Sequence, residues 1–208
     1  VLLQGGVNKG SVVTPTSALE AIDSPHEPAG EVREEALLEA ARLMELGYIE
    51  RLEGKYSEAE RCYLSAILLF QKHGDRTGEG EAHGHLGSIF HDQGKLDLAT
   101  KQITQAIDIA RETGNSQGEG AALGTLGNLY QRKGELSRAA DLFTQTIYIA
   151  REIGDKILEG NTLGSLGSVY QNKGETERAV NHYTMAIDIA REIGDKRREG
   201  INLGNLAS

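Results

Sequence analysis

The sequence predicts an all-α protein, a right-handed superhelical solenoid of antiparallel helix pairs. Three observations carry that prediction. Gly74, Gly114, Gly154 and Gly194 recur every 40 residues, as do Gly54, Gly94, Gly134 and Gly174, and Ala59, Ala99, Ala139 and Ala179. The blocks KQITQAIDIARETGN, DLFTQTIYIAREIGD and NHYTMAIDIAREIGD align on that period. Between the glycines, apolar residues hold the i, i+3, i+4 spacing of one helix face. A period of this length describes a stack of small units, each touching mainly its neighbours.

Residues 1–33 stand apart as a flexible leader or linker. All three prolines lie there (Pro15, Pro25, Pro28), with no sustained helical period and at most a short turn of helix around Ser17–Ile22. The array is expected over 34–208. With position 1 at Ala40, Gly80, Gly120, Gly160 and Gly200, the units are 40–79, 80–119, 120–159 and 160–199, with a partial fifth at 200–208. In the second unit Leu86, Ile89 and Phe90 mark one helix, broken by Gly94. Leu96, Ala99, Ile103, Ala106, Ile107 and Ala110 mark the next, ended by Gly114. Gly94-Lys95 and Gly134-Glu135 read as turns inside units. Gly154-Asp155 and Gly194-Asp195 read as turns between units, where glycine takes the left-handed residue and aspartate caps the following helix.

Composition narrows the function. The net charge of −9 argues against nucleic acid and anionic membranes, both of which call for clustered Lys and Arg. No apolar run reaches the roughly 18–20 residues that span a bilayer, and no signal peptide is evident. Cys62 is the single cysteine, which fits a cytoplasmic setting and reads as a tolerated helix residue rather than a nucleophile. The chain opens on Val1, and Ile201, Leu203 and Leu206 of the fifth unit lack a partner helix. Both features point to a protein that continues beyond this segment.

In this frame position 7 holds Leu46, Leu86, Leu126 and Leu166, and position 8 holds Gly47, Gly87, Gly127 and Gly167. Position 11 holds Glu50, Phe90, Tyr130 and Tyr170, and position 24 holds Tyr63, Ile103, Phe143 and Tyr183. Position 20 holds the recurrent alanines and position 27 holds Ala66, Ala106, Thr146 and Ala186. This pattern resembles the tetratricopeptide repeat (TPR). Small residues at 8 and 20 let the two helices of a unit approach, and aromatics at 11 and 24 fill the space between neighbours. The common repeat has about 34 residues, so the additional residues of segments such as REIGDKILEG lengthen the helices at the inter-unit turn. The longer form resembles the repeats of Pins/LGN-type adaptors, bacterial TPR sensor arrays and kinesin light chains. Two departures stand out: position 4 is Leu43, His83, Leu123 and Leu163, never Trp, and position 32, often Pro in the family, is Gln71, Arg111, Arg151 and Arg191.

The resemblance implies that the first helix of each unit lines a concave groove with positions 2, 5, 9, 12 and 13. The peptide-binding candidates are then Tyr48, Arg51, Ser88, His91, Asn128, Gln131, Arg132, Asn161, Ser168, Gln171 and Asn172. Asn and Gln offer a donor and an acceptor to a peptide backbone, and Arg132 could fork onto a carboxylate. The competing reading is that these are ordinary solvated polar residues. Gly84, Gly124, Gly164 and Gly204 lie inside helices at a cost of roughly 0.5–1 kcal/mol each against Ala. Close helix packing is the favoured explanation, a wide groove floor the alternative. His83, His85 and His91 lack the i,i+4 spacing of a zinc pair. The chaperone-docking clamp expects Lys at position 5, where this chain has Met44, Gly84, Gly124 and Gly164. No nucleophile–base set, cofactor motif or metal quartet is present.

The expected function is a non-catalytic interaction scaffold that binds a partner protein or peptide in the groove, with no nucleic acid and no membrane. Two alternatives stay open: self-association through the exposed terminal helix, and a sensing arm of a larger regulator or enzyme.

Overall fold

The structure, a computed structural model, describes residues 29–207, so the turn expected at Ser17–Ile22 lies outside the described residues. Nine helices follow one another among these residues: α1 (Ala29–Leu52), α2 (Tyr56–His73), α3 (Arg76–Asp92), α4 (Leu96–Thr113), α5 (Ser116–Arg132), α6 (Leu136–Ile153), α7 (Lys156–Asn172), α8 (Thr176–Glu192) and α9 (Lys196–Leu206). Each helix packs on the next, and each odd-numbered helix also touches the next odd one. No even-numbered helix reaches another even one. The odd helices therefore form the shorter, inner layer of a curved stack. Helix α1 starts at Ala29, ahead of the pattern that begins at Glu34 in the sequence. The odd helices from α3 onward start four residues before each position 1.

The turns follow from their residues. Gly154 has φ 73°, the left-handed region open to glycine, and the Asp155 carboxylate accepts from the Leu158 N–H at 2.8 Å. Asp75, Asn115 and Asp195 cap α3, α5 and α9 in the same way. At the turns inside units, Lys55, Lys95, Glu135 and Glu175 make no such cap.

Packing explains the small residue at position 8. A Cβ on Gly127 would lie 2.6 Å from Cε1 of Phe143, and one on Gly167 would lie 2.7 Å from the Tyr183 ring. Buried side chains form two clusters, Ala40–Leu129 and Ala139–Ile189, with Tyr130 packed against both. The core is thus continuous along the array. His83 fills the large position-4 slot, its Nδ1 at 2.7 Å from the Gln102 side-chain oxygen Oε1. Cys62 is buried, and burial raises its thiol pKa.

The departure at position 32 has a structural reason. Arg111, Arg151 and Arg191 donate through Nε to Glu119, Glu159 and Glu199 at 2.7, 2.6 and 2.7 Å, and Gln71 donates to Glu79 at 2.8 Å. These bonds tie each even-numbered helix to the first turn of the next odd-numbered one, where the commoner proline has no donor to offer. For Glu159, burial alone would raise the carboxyl pKa, but hydrogen bonds from Arg151 and Lys156 outweigh it and hold the group below its usual value. Burial lowers the imidazole pKa of His85 and His182, and nearby arginines add to the effect.

These shifts set the acid response. A histidine whose pKa is lower folded than unfolded supports the fold above the unfolded value of 6.5 and weakens it as pH falls through that value. A carboxylate with a depressed pKa supports the fold above 4.5 and loses that support as pH falls through its folded value. Melting temperature is expected to fall in two stages, the first below 6.5 and the second below 4.5. Thermal melts across this range check it: replacing His85 and His182 with Gln is expected to remove the first stage and leave the second.

Candidate functional site

The inner layer is built from exposed residues of α1, α3, α5 and α7. Asn128 (α5), Asn161 and Asn172 (α7) are exposed and, among the described residues, make no side-chain hydrogen bond. Tyr48 of α1 is likewise exposed. The remaining candidates are engaged within the protein. Arg51 pairs with Asp92 at 2.8 Å, joining α1 to α3. Arg132 Nη1 donates to the His91 carbonyl at 3.0 Å and sits 3.0 Å from His91 Nε2, joining α5 to α3. Gln131 Nε2 donates to Ser168 Oγ at 3.1 Å, joining α5 to α7. Ser88 donates to its own helix at Gly84 O, and Gln171 accepts from Tyr183 O–H.

The sequence brought these residues to one layer but did not reveal the links among them. The links stitch successive odd helices along one rim. Arg132 commits Nη1 to His91, and its Nε–Nη2 edge makes no hydrogen bond among the described residues.

The helix-interior glycines divide, and the close-packing reading fails for some. Nothing lies within 4 Å of a Cβ built on Gly84 or Gly204. Gly124 has ordinary contact with Thr146 at 3.6 Å, and only Gly164 is crowded, by Asn202 Oδ1 at 2.6 Å. At Gly84 the missing side chain opens the floor of the inner layer. A cavity of about 230 Å³ lies there, between α3 and α5 above α4. Ile103, Ala106, Ile109 and Ala110 form its base, and Glu81, His85, Ser88 and Thr125 stand around it. The His85 ring stacks on Tyr63, centroids 5.3 Å apart and nearly parallel.

At the far end, Asn161, Gln131 and Ser168 border a shallower depression with Arg198 and Asn202. Among the described residues no three His, Cys, Asp or Glu side chains converge as a metal cluster. His83 and His85 diverge, one to Gln102 and the other to Tyr63. No helix of the described residues is long and apolar enough to cross a membrane.

Comparisons with known proteins agree with this architecture. Solved structures share the fold at low identity. BtubC (BKLC) from P. vanneervenii superposes with a TM-score of 0.72 at 16% identity, over 85% of this chain and 79% of that one. Aspartyl phosphate phosphatase F from Bacillus subtilis gives 0.77 at 12%, over 80% of this chain and 44% of that one. A Podosopora anserina protein described as a kinesin light chain, with nearly identical TPR-like repeats, gives 0.66 at 18%, over 80% and 83%. No curated protein sequence matches the chain. The tetratricopeptide repeat profile matches residues 39–112, 79–152 and 118–192. With the helix pairs, the glycine turns and the packing at positions 8 and 24 all in place, the chain belongs to the tetratricopeptide repeat family.

Proposed function

We propose that this array is a non-catalytic scaffold that holds a segment of a partner protein, peptide or helix, along the layer of odd-numbered helices. The observation that carries the reading is the set of side chains left without internal partners on that layer. Asn128, Asn161 and Asn172 present amide donors and acceptors to solvent on two neighbouring helices. Tyr48 adds an exposed aromatic at the α1 end. Gln131, Ser168, Arg51, His91 and Arg132 fix the rim on which those groups stand. Such a scaffold suits a cytoplasmic setting, with its single buried thiol, and its long repeats keep a Pins/LGN-type adaptor among the roles it could serve.

Pull-down with the full chain as bait tests the reading, against a bait carrying Asn128→Ala, Arg132→Ala and Asn172→Ala. The expected result is a partner held by the first bait and weakened at least tenfold with the second. Equal capture by both would reject the groove.

A second reading has its own support. Ile201 and Leu203 of α9 are 52% and 42% exposed, and Leu46 and Ile49 of α1 are exposed at the other end. These faces suit self-association. A molar mass by light scattering that stays monomeric at every concentration would exclude it. A sensing arm of a larger regulator also fits, since the similar phosphatase is more than twice the span matched.

A further inference from the structure

The cavity beneath Gly84 arises from a break in the repeat. Two positions eight residues apart flank each inter-unit turn, and in every other unit one of the two is large. In the first unit they are Phe70 and Gly78, and the Phe70 ring lies where a Cβ of Gly78 would be, at 2.6 Å. In the third they are Ala150 and Leu158, and Leu158 Cδ2 lies 3.0 Å from where a Cβ of Gly120 would be. In the fourth they are Ala190 and Arg198, and Arg198 borders the depression there. In the second unit they are Ala110 and Gly118, both small and both lining the cavity. Only in the second unit are both members of the pair small, and there the space has an aliphatic base, whereas the equivalent depression of the fourth is bordered by Arg198, Asn202 and Asn205.

The size and chemistry of the space limit its occupant. An apolar cavity of about 150 Å³ accepts a benzene ring, so 230 Å³ accepts one leucine, methionine or phenylalanine side chain. The base is aliphatic. Among the described residues lining it, Glu81 is the sole charged one apart from the imidazole of His85. Glu81 and His85 also border a neighbouring depression with Met44, Glu45 and Tyr48. Glu81 and Glu45 are exposed, and among the described residues neither is paired with a cation. Arg51, the nearby cation of α1, is taken by Asp92.

We infer that this cavity is the anchor pocket of the groove, which takes one large apolar side chain from a partner segment that carries Lys or Arg beside it. The inference rests on the groove reading and adds to it the chemistry of the ligand. The apolar side chain supplies buried area, and the basic neighbours meet Glu81 and Glu45.

Two fillings test it, each copied from an arrangement this chain already holds one unit away. Ala110→Phe reproduces Phe70 over Gly78. Asn115→Asp with Gly118→Leu reproduces Asp155 and Leu158. The probes are short peptides with one Leu, Met or Phe among Lys, Ser and Ala, and a second set with Glu in place of Lys. Methyl NMR of Ile103 and Ile109 in the full chain reads occupancy, and melts confirm that each variant folds. The basic set is expected to shift these methyls saturably and the acidic set to leave them. Each filling is expected to weaken binding about tenfold to a hundredfold, the range for burying one such side chain.

Undiminished binding to both filled variants would overturn the pocket, and if Asn128→Ala with Asn172→Ala still weakened that binding, the groove reading would stand. Binding unchanged by any of these substitutions would reject both. Failure of the basic set to bind the wild-type chain would also overturn the pocket. Methyl shifts on raising protein concentration alone would make the occupant a second copy, again against the proposal.

Discussion

Phe143→Ala is expected to cost about 3–5 kcal/mol, the usual range for truncating a fully buried aromatic. Phe143 is 1% exposed, lies on α6 against Gly127 of α5, and joins the second core cluster. The helix pair it fills is in the middle of the stack, so its loss also weakens contact with the pairs on both sides. In an array held by nearest-neighbour terms, the two ends can then begin to unfold separately. Urea unfolding followed by circular dichroism measures the effect, and a broadened transition is expected with the lowered midpoint. Leu68→Ala serves as the contrast: Leu68 is 67% exposed, and its loss is expected to stay within about 0.5 kcal/mol. A cost for Phe143→Ala no larger than that for Leu68→Ala would contradict the packing described.

The same substitution at two helical glycines is expected to act in opposite directions. Gly127→Ala forces a methyl to within 2.6 Å of a buried ring, and overpacking of this kind costs typically about 1–3 kcal/mol. Gly84→Ala meets nothing within 4 Å. There the better helix propensity of Ala prevails, with a gain of roughly 0.5–1 kcal/mol. Both are interior residues of odd-numbered helices, so propensity alone predicts a gain for both. Thermal melts of the two variants separate the explanations: a gain at Gly127 would show that the α5–α6 approach is looser than it stands here.

The fold was legible because its signals are local and repeated. Gly154-Asp155 announces a left-handed residue and a cap without reference to anything distant, and the chain states this turn again at Gly194-Asp195. Gly127 and Phe143 were legible as the small and large residues of positions 8 and 24, and the structure adds that they pack on each other. What the sequence hid depends on stacking. Arg132 meets His91, and Arg51 meets Asp92, only when one unit is laid on another at a fixed twist. Arg151 was visible as a departure from proline, but its partner Glu159 lies beyond the turn. The cavity was hidden for a related reason. Gly84 in its helix suggested close packing, whereas the emptiness comes from Ala110 and Gly118 being small together. Comparing residues in pairs across each turn, rather than one column at a time, would have exposed it.

Partners are expected on the layer of odd-numbered helices. The most direct measurement is site-specific photo-crosslinking to the partner recovered with the full chain. A photoreactive residue is placed in turn at Asn128 and Asn161 on the inner layer. It is placed also at Gln145 and Tyr148, exposed positions of α6. Crosslinked partner is expected from Asn128 and Asn161 and none from Gln145 or Tyr148. Crosslinks from the α6 positions alone would put the partner on the outer layer and contradict that expectation.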